Sequence, residues 1–259
     1  MIHIPLSNGR TMPALGLGTW DLRGAVCHSA VRLALQIGYR HIDTAEMYEN
    51  ETEIGRAIAE SGVPRKELFL TTKVWTNHHH AEDFRKAAEA SLNRLKTDYV
   101  DLLLIHWPNS AVPLSETIGV LCQLAREGKT LAIGVSNFST ELLKEAVSLA
   151  NVPIACDQVP YSLTDNQDAL LACARQKQIS ICAYTPLGRG KFLRKKGLQE
   201  TAKKHRKTPA QVALRWLIQQ EGVSAIPKAS GEKHLRENFG LFDFSLHATD
   251  LELLGGMRE

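Results

Sequence analysis

The chain has 259 residues, 44% hydrophobic and 23% charged, with a formal net charge of +3. Its 31 basic residues are dispersed, apart from a cluster at Arg194-Lys195-Lys196, which speaks against a nucleic-acid or membrane-surface partner. A prior of roughly 150 residues per domain would permit two domains, but α/β barrels use about 250 as one; no linker, internal repeat or low-complexity tract divides residues 1–259.

In chain order, Ile2–Pro5 and Thr11–Ala14 flank Asn8-Gly9, a dipeptide that tolerates positive φ and predicts a two-residue hairpin. No charged region followed by an apolar stretch opens the chain, and no apolar run reaches the roughly 20 residues needed to span a bilayer. A cytoplasmic protein is expected. The five cysteines (Cys27, Cys122, Cys156, Cys173 and Cys182) are odd in number and widely spaced, and are expected as buried reduced thiols.

After the hairpin, short apolar runs alternate with longer helical patterns. The runs are Leu15–Trp20, His41–Ala45, Leu68–Val74, Val100–Trp107, Leu131–Asn137, Ala155–Val159, Ile179–Leu187 and Val223–Lys228. Between them, Ala81, Phe84, Ala88, Leu92 and Leu95 recur at three- and four-residue steps, as do Leu142, Leu143, Ala146, Val147 and Ala150. Thr208 before Pro209 reads as a helix cap followed by proline in the first turn. Eight strand–helix units imply a parallel sheet covered on both faces. The expected fold is an α/β protein, a (β/α)₈ TIM barrel with the hairpin as a plug and His247–Glu259 as a trailing helix. An open doubly wound sheet competes, but Gly16-Leu17-Gly18 is followed by Thr19, Trp20 and Asp21, so the third glycine of GxGxxG is missing. The irregular stretch Pro186–Gly197, with three glycines and five basic residues, suits a phosphate-gripping or lid loop.

Barrel enzymes carry their chemistry at the C-terminal ends of the strands. Here those ends hold Thr19 and Trp20, Asp43 with Tyr48 just beyond, Lys73 and Trp75, His106 and Trp107, Ser136 and Asn137, Gln158, Tyr184, and Lys228. Any one of these has a bland explanation as a cap or as packing; their convergence asks for a chemical one. Tyrosine titrates near 10 in water and is a weak acid at neutral pH. A neighbouring Lys73 ammonium favours the phenolate and lowers that value, while Asp43 keeps the lysine charged and oriented. Tyr48 thereby becomes a candidate general acid towards a developing alkoxide, and His106 a second hydrogen-bond donor to the same oxygen. That set suits carbonyl reduction if a nicotinamide cofactor supplies hydride. Ser136, Asn137 and Gln158 offer partners for a carboxamide, and Tyr184 a ring to stack on it.

At these positions the chain resembles the aldo-keto reductase superfamily, most closely its small bacterial members of the 2,5-diketo-D-gluconate reductase type. The marks are Gly16-Leu17-Gly18-Thr19-Trp20, Asp43-Thr44-Ala45 with Tyr48, Thr72-Lys73-Val74-Trp75, Leu104-Ile105-His106-Trp107-Pro108, Ile133–Phe138, Asp157-Gln158-Val159, Ala183–Gly188, Ile226-Pro227-Lys228 and Glu237-Asn238. The resemblance implies an oxidoreductase that binds NADPH across the strand ends of a barrel, with Asp43, Tyr48, Lys73 and His106 as the catalytic tetrad. It also implies cofactor contacts from Thr19, Trp20, Ser136, Asn137, Gln158, Tyr184, Leu187, Gly188, Lys228, Ser230, His234, Glu237 and Asn238. Trp20, Trp75 and Trp107 would wall the pocket of a small-molecule carbonyl substrate, an aldehyde, dicarbonyl or keto-sugar, in a protein that acts as a monomer.

The sequence departs from the family's pattern after the eighth strand. Where the family grips the adenosine 2′-phosphate with lysine, serine and arginine, Lys228 is present, but Ala229 and His234 replace the other two. Histidine lacks both the fixed charge and the bidentate fork of arginine, so NADPH use with measurable acceptance of NADH is expected. Asp157 stands beside Gln158 where the family usually has Asn. The chain stops at Glu259 with no tail over the pocket, and the loop Asn109–Val112 is brief, so an open pocket is expected. His78-His79-His80 invites a metal-hydrolase reading, but consecutive loop residues rarely ligate one ion, and no metal is expected. A non-catalytic nucleotide-binding barrel is the remaining alternative.

Overall fold

The structure is a computed structural model and describes residues 2–257. A hairpin of β1 (His3–Pro5) and β2 (Thr11–Pro13) comes first, pairing Pro5 with Thr11. The Leu6 N–H bonds to the Arg10 carbonyl at 2.8 Å, and the Gly9 N–H to the Leu6 carbonyl at 3.0 Å. The turn therefore has three residues rather than the expected two, with Gly9 at φ +80° in the left-handed region. The tertiary contacts of this loop explain the extra residue. Asn8 Nδ2 donates to the Leu131 carbonyl and Ser7 Oγ to the Ile154 carbonyl, both at 2.9 Å, which pins the hairpin across the N-terminal ends of the strands.

Eight parallel strands follow: β3 (Leu17–Gly18), β4 (His41–Asp43), β5 (Phe69–Val74), β6 (Leu102–Ile105), β7 (Ile133–Ser136), β8 (Ile154–Pro160), β9 (Ser180–Tyr184) and β10 (Val223–Ala225). They neighbour one another in sequence order, each crossover carrying a helix. The helices are α1 (Gly24–Ile37), α2 (Glu51–Ser61), α3 (Ala81–Leu95), α4 (Leu114–Arg126), α5 (Thr140–Leu149), α6 (Asp168–Gln176), then α7 (Lys196–His205) with α8 (Pro209–Ile218), and α9 (Glu232–Phe239). The last helix, α10, spans Ala248–Gly255, four residues short of the expected terminus; residues 258 and 259 lie outside the described residues.

The sheet closes on itself where β3 meets β10. The Gly16 N–H bonds to the Ala225 carbonyl at 2.9 Å, the Ala225 N–H to the Ala14 carbonyl at 2.8 Å, and the Gly18 N–H to the Pro227 carbonyl at 3.2 Å. A β-carbon on Gly18 would lie 2.5 Å from the Ile226 carbonyl oxygen, so only glycine lets the first and last strands approach this closely. Closure thus depends on Gly18, one of the two glycines whose spacing resembles a nucleotide-binding turn.

Two apolar regions hold the barrel together. The larger lies between the sheet and the helical ring, with Ile54, Phe84, Leu121, Leu143, Leu214 and Leu235 among its buried members. The smaller fills the barrel interior, where Leu6 and Met12 of the hairpin pack with Phe69, Leu102, Leu104 and Cys156. Each fully buried side chain of this size contributes roughly 1.5–3 kcal/mol relative to exposure. The hairpin is therefore a hydrophobic stopper at the end opposite the polar strand termini. The Thr208 cap holds, Thr208 and Gln211 forming a reciprocal capping box on α8, and Ser139 caps α5. Among the described residues no helix is long and apolar enough to cross a membrane.

Candidate active site

At the C-terminal end of the barrel lies an open cavity of about 840 Å³. Asp43, Tyr48, His106, Ser136, Asn137, Gln158 and Tyr184 line its deep part; Trp20, Met47, Trp107, Leu187, Arg189 and Lys228 form its rim.

Its floor is built around an ammonium. Lys73 sits on β5 with its side chain wholly buried, and its Nζ donates to Asp43 Oδ1 at 2.6 Å, to the Thr44 carbonyl at 2.9 Å and to the Tyr48 hydroxyl at 3.3 Å. Asp43 Oδ2 accepts from Gln158 Nε2 at 2.7 Å, so the carboxylate is satisfied on both sides. A buried pair bonded this fully meets its desolvation cost, whereas loss of either partner would leave an uncompensated charge. Burial pulls the Lys73 pKa down, but Asp43 and Tyr48 outweigh it, and the lysine is held above its ordinary value.

Tyr48 reaches the cavity from the 3₁₀ turn Glu46–Tyr48 beyond β4. Its pKa runs against the sequence expectation: burial raises it, and the opposing pull of Lys73 does not win. The phenol therefore keeps its proton through the neutral range, and the ammonium acts against a penalty set by the apolar surroundings. The His106 ring stands edge-on to Tyr48, with centroids 5.6 Å apart. Burial, with Lys73 next in effect, pushes the imidazole down to about 3, so at neutral pH it is uncharged.

Beside this core, Ser136 Oγ donates to the Gln158 carbonyl at 2.7 Å and Asn137 Nδ2 to the His106 carbonyl at 3.0 Å. The Tyr184 hydroxyl donates to Asn137 Oδ1 at 2.6 Å. Asn137 holds a left-handed backbone, φ +63°, which turns its amide back across the strand ends. At the mouth, Arg189 lies over the Trp20 ring at 5.6 Å, and Lys228 approaches Asp21 at 3.5 Å, both exposed.

Not every predicted residue converges on the cavity. Thr19 is fully buried and donates through Oγ1 to the Asp43 carbonyl at 2.8 Å, so it braces β4 rather than facing a ligand. Trp75 lies behind His106, ring centroids 4.9 Å apart and nearly perpendicular, instead of walling the cavity. Ser230, His234, Glu237 and Asn238 stand beyond its rim on the segment after β10 and on α9, where His234 Nδ1 contacts Glu237 Oε2 at 3.3 Å. The three consecutive histidines point to different partners: His78 to Glu46, His80 to Glu116, and the buried His79 ring to Phe84.

Sequence reasoning missed the polar braces behind the site. Asn50 donates to the Thr19 and Leu22 carbonyls, both at 2.9 Å, and accepts from Thr44 Oγ1 at 2.7 Å. Glu51, 1% exposed, takes Thr72 Oγ1 at 2.5 Å and Arg94 Nε at 2.8 Å. An Asn-Glu pair opening a helix looks like an ordinary capping signal, so nothing local marked it. Met47, in the 3₁₀ turn before Tyr48, was missed as well, and Arg189 was noticed only as one of the basic residues of the loop after β9.

A closed parallel barrel with a buried ammonium, a phenol and an uncharged imidazole gathered at its strand ends defines a barrel enzyme. The sequence profile of the Aldo/keto reductase family matches residues 14–258, and the chain belongs to that family. It is an oxidoreductase, of a family that reduces carbonyl compounds with a nicotinamide cofactor. It is 40% identical over 249 residues to the methylglyoxal reductase DkgB of Escherichia coli O157:H7, covering 95% of this chain and 93% of that one. It is 41% identical over 260 residues to the 9,11-endoperoxide prostaglandin H2 reductase of Trypanosoma cruzi, covering 99% and 91%. The crystal structure of a protein assigned as 2,5-diketo-D-gluconic acid reductase B superposes with a TM-score of 0.98 at 43% identity, covering 100% of this chain and 92% of that one.

Proposed function

We propose that the chain is an NADPH-dependent reductase of small aldehydes, dicarbonyls and keto-sugars, with Tyr48 as the proton donor. The observation that carries this reading is the Tyr48 hydroxyl on a cavity floor, 3.3 Å from an ammonium that is itself fixed by Asp43. A substrate carbonyl oxygen held between Tyr48 and His106 would meet two uncharged donors. The nicotinamide supplies the hydride when bound. Tyr48 gives its proton to the oxygen as negative charge develops there, and Lys73 steadies the phenolate left behind. Asp43 keeps Lys73 charged and aimed, which makes it a positioning residue.

The rest of the cavity fits a dinucleotide. Hydroxyl and amide groups of Ser136, Asn137 and Gln158 suit a carboxamide, and the Tyr184 ring offers a flat face beside them. Leu187 and Arg189 at the rim, with Gly188 between them in the chain, would hold a pyrophosphate, and Lys228, with Ser230, His234, Glu237 and Asn238 beyond, would take the adenosine end. Trp20, Met47 and Trp107, 49%, 39% and 43% exposed, offer apolar walls to a substrate at an open mouth. All these groups come from one chain and one barrel domain, so a monomer suffices. The kinship with DkgB supports methylglyoxal as a substrate to try first.

The test is NADPH oxidation, followed in absorbance, with methylglyoxal or 4-nitrobenzaldehyde. Turnover by the wild-type chain and its loss in Tyr48→Phe, by at least the roughly 10²–10⁴-fold typical of a general acid, are expected while cofactor affinity stays unchanged. Cofactor binding without turnover by the wild type would favour the regulatory barrel, and full activity in Tyr48→Phe would remove the proton-donor role.

A further inference from the structure

We propose that Glu46 is a positioning residue of this site, holding Trp75, and through it His106, in the aim that carbonyl reduction requires. The inference rests on the carbonyl-reductase reading above. Glu46 is the first residue of the 3₁₀ turn that ends in Tyr48, yet its side chain, only 16% exposed, reaches to the loop after the next strand. Its Oε2 accepts the Trp75 backbone N–H at 3.0 Å, and its Oε1 lies 2.7 Å from His78 Nδ1. Trp75 comes just after the last residue of β5, where the strand ladder no longer supplies a partner for its N–H. A carboxylate is a strong acceptor for such a group.

The consequence lies one ring further in. His106 Nδ1 is buried without a hydrogen-bond partner, so no bond at that nitrogen fixes the rotation of the imidazole. Its aim is set by the rings standing edge-on at its two sides, Trp75 at 4.9 Å and Tyr48 at 5.6 Å. Both rings hang from backbone that Glu46 joins: Tyr48 from its own turn, Trp75 through the hydrogen bond. One side chain thereby sets the spacing between the two groups proposed to meet the carbonyl oxygen. The reacting geometry tolerates displacements well under an ångström before rate falls, so a slack Trp75 loop is expected to act on kcat rather than on binding.

The experiment compares wild type, Glu46→Ala and Glu46→Gln for kcat, KM, cofactor affinity by fluorescence titration, and the primary isotope effect with 4-deuterated NADPH. We expect Glu46→Ala to lose about tenfold in kcat, with KM and cofactor affinity within about twofold and a larger isotope effect. Glu46→Gln, which keeps an acceptor for the Trp75 N–H, is expected to recover to within about threefold of wild type. Should Glu46→Ala fail to fold, Glu46→Asp, one methylene too short to reach Trp75, takes its place with the same expected loss. Unchanged kcat and isotope effect in the Ala or Asp variant, or a Gln variant as slow as they are, would overturn the positioning role. Wild-type chain without turnover would instead defeat the carbonyl-reductase reading itself.

Discussion

Tyr48 shows how a single residue's chemistry is set by competing terms. The ammonium 3.3 Å away draws the phenol towards ionisation, but burial raises its pKa further than Lys73 lowers it. Asp157 presents the opposite problem, a carboxyl with no compensating charge. It is fully buried on β8, and burial pushes its pKa well above the usual carboxylate range against the weaker opposing pull of the Phe138 backbone N–H. In the folded protein it stays protonated at pH values where the unfolded chain, near 3.9, has already ionised. Folding must then take up a proton, so stability falls as pH rises above about 4, towards the raised folded value. Asp157→Asn is expected to raise the urea unfolding midpoint at pH 7.5 and to leave it nearly unchanged at pH 4. Equal effects at the two pH values would mean that the carboxyl carries its charge in the fold. The sequence marked Asp157 as a departure from the family's usual Asn, but its burial is a tertiary fact that the sequence could not show.

At the scale of elements, the segment after β10 and the helix α9 concern the cofactor's far end. Lys228 stands at the cavity rim, its Nζ 3.5 Å from Asp21 and its side chain 46% exposed, free to turn to an anion. His234 is exposed on α9 against Glu237, with no fixed charge to offer a phosphate. The proposed NADPH preference is therefore expected to be shallow, with measurable rates on NADH. His234→Arg should sharpen it about tenfold, as one charge-assisted hydrogen bond to a phosphate is worth roughly 1.5 kcal/mol. The ratio of kcat/KM for the two cofactors checks this; a wild-type ratio already above a thousand would contradict it. The loop after β9 also reads differently as an element. Its basic residues suited a phosphate-gripping or lid loop, and in the fold Phe192 is buried beneath it while Arg189 lies over Trp20. The loop is thus anchored by Phe192, and it brings Leu187, Gly190 and the Arg189 guanidinium to the mouth.

For the whole molecule, the decisive joint is the seam between β3 and β10. A methyl group on Gly18 would push against the Ile226 carbonyl oxygen, which belongs to backbone and cannot swing away. Gly18→Ala is expected to destabilise the protein by about 1–3 kcal/mol, as overpacking does, and to weaken activity because Gly18 also lines the cavity. Urea unfolding monitored by tryptophan fluorescence measures the first, and steady-state rates the second. No loss of stability would show that the seam opens without cost.

The alternation of apolar runs and helical periods pointed to eight parallel strand–helix units, and the missing third glycine of GxGxxG favoured a closed barrel over an open sheet. The polar strand ends were legible for a related reason: a charged group closing an apolar strand needs a partner, and Asp43, Lys73 and His106 fall at or next to the ends of three successive strands. What the tertiary structure alone decided was which of these groups meet. Thr19 and Trp75 follow their strands directly and Tyr184 closes its own, yet Thr19 braces β4 and Trp75 backs His106 while Tyr184 lines the cavity. Glu46, Asn50 and Glu51 gained their partners only when loops distant in sequence closed together. Hydrogen bonds across 25 or more residues leave no periodic trace in a chain, so such braces become visible only in the folded molecule.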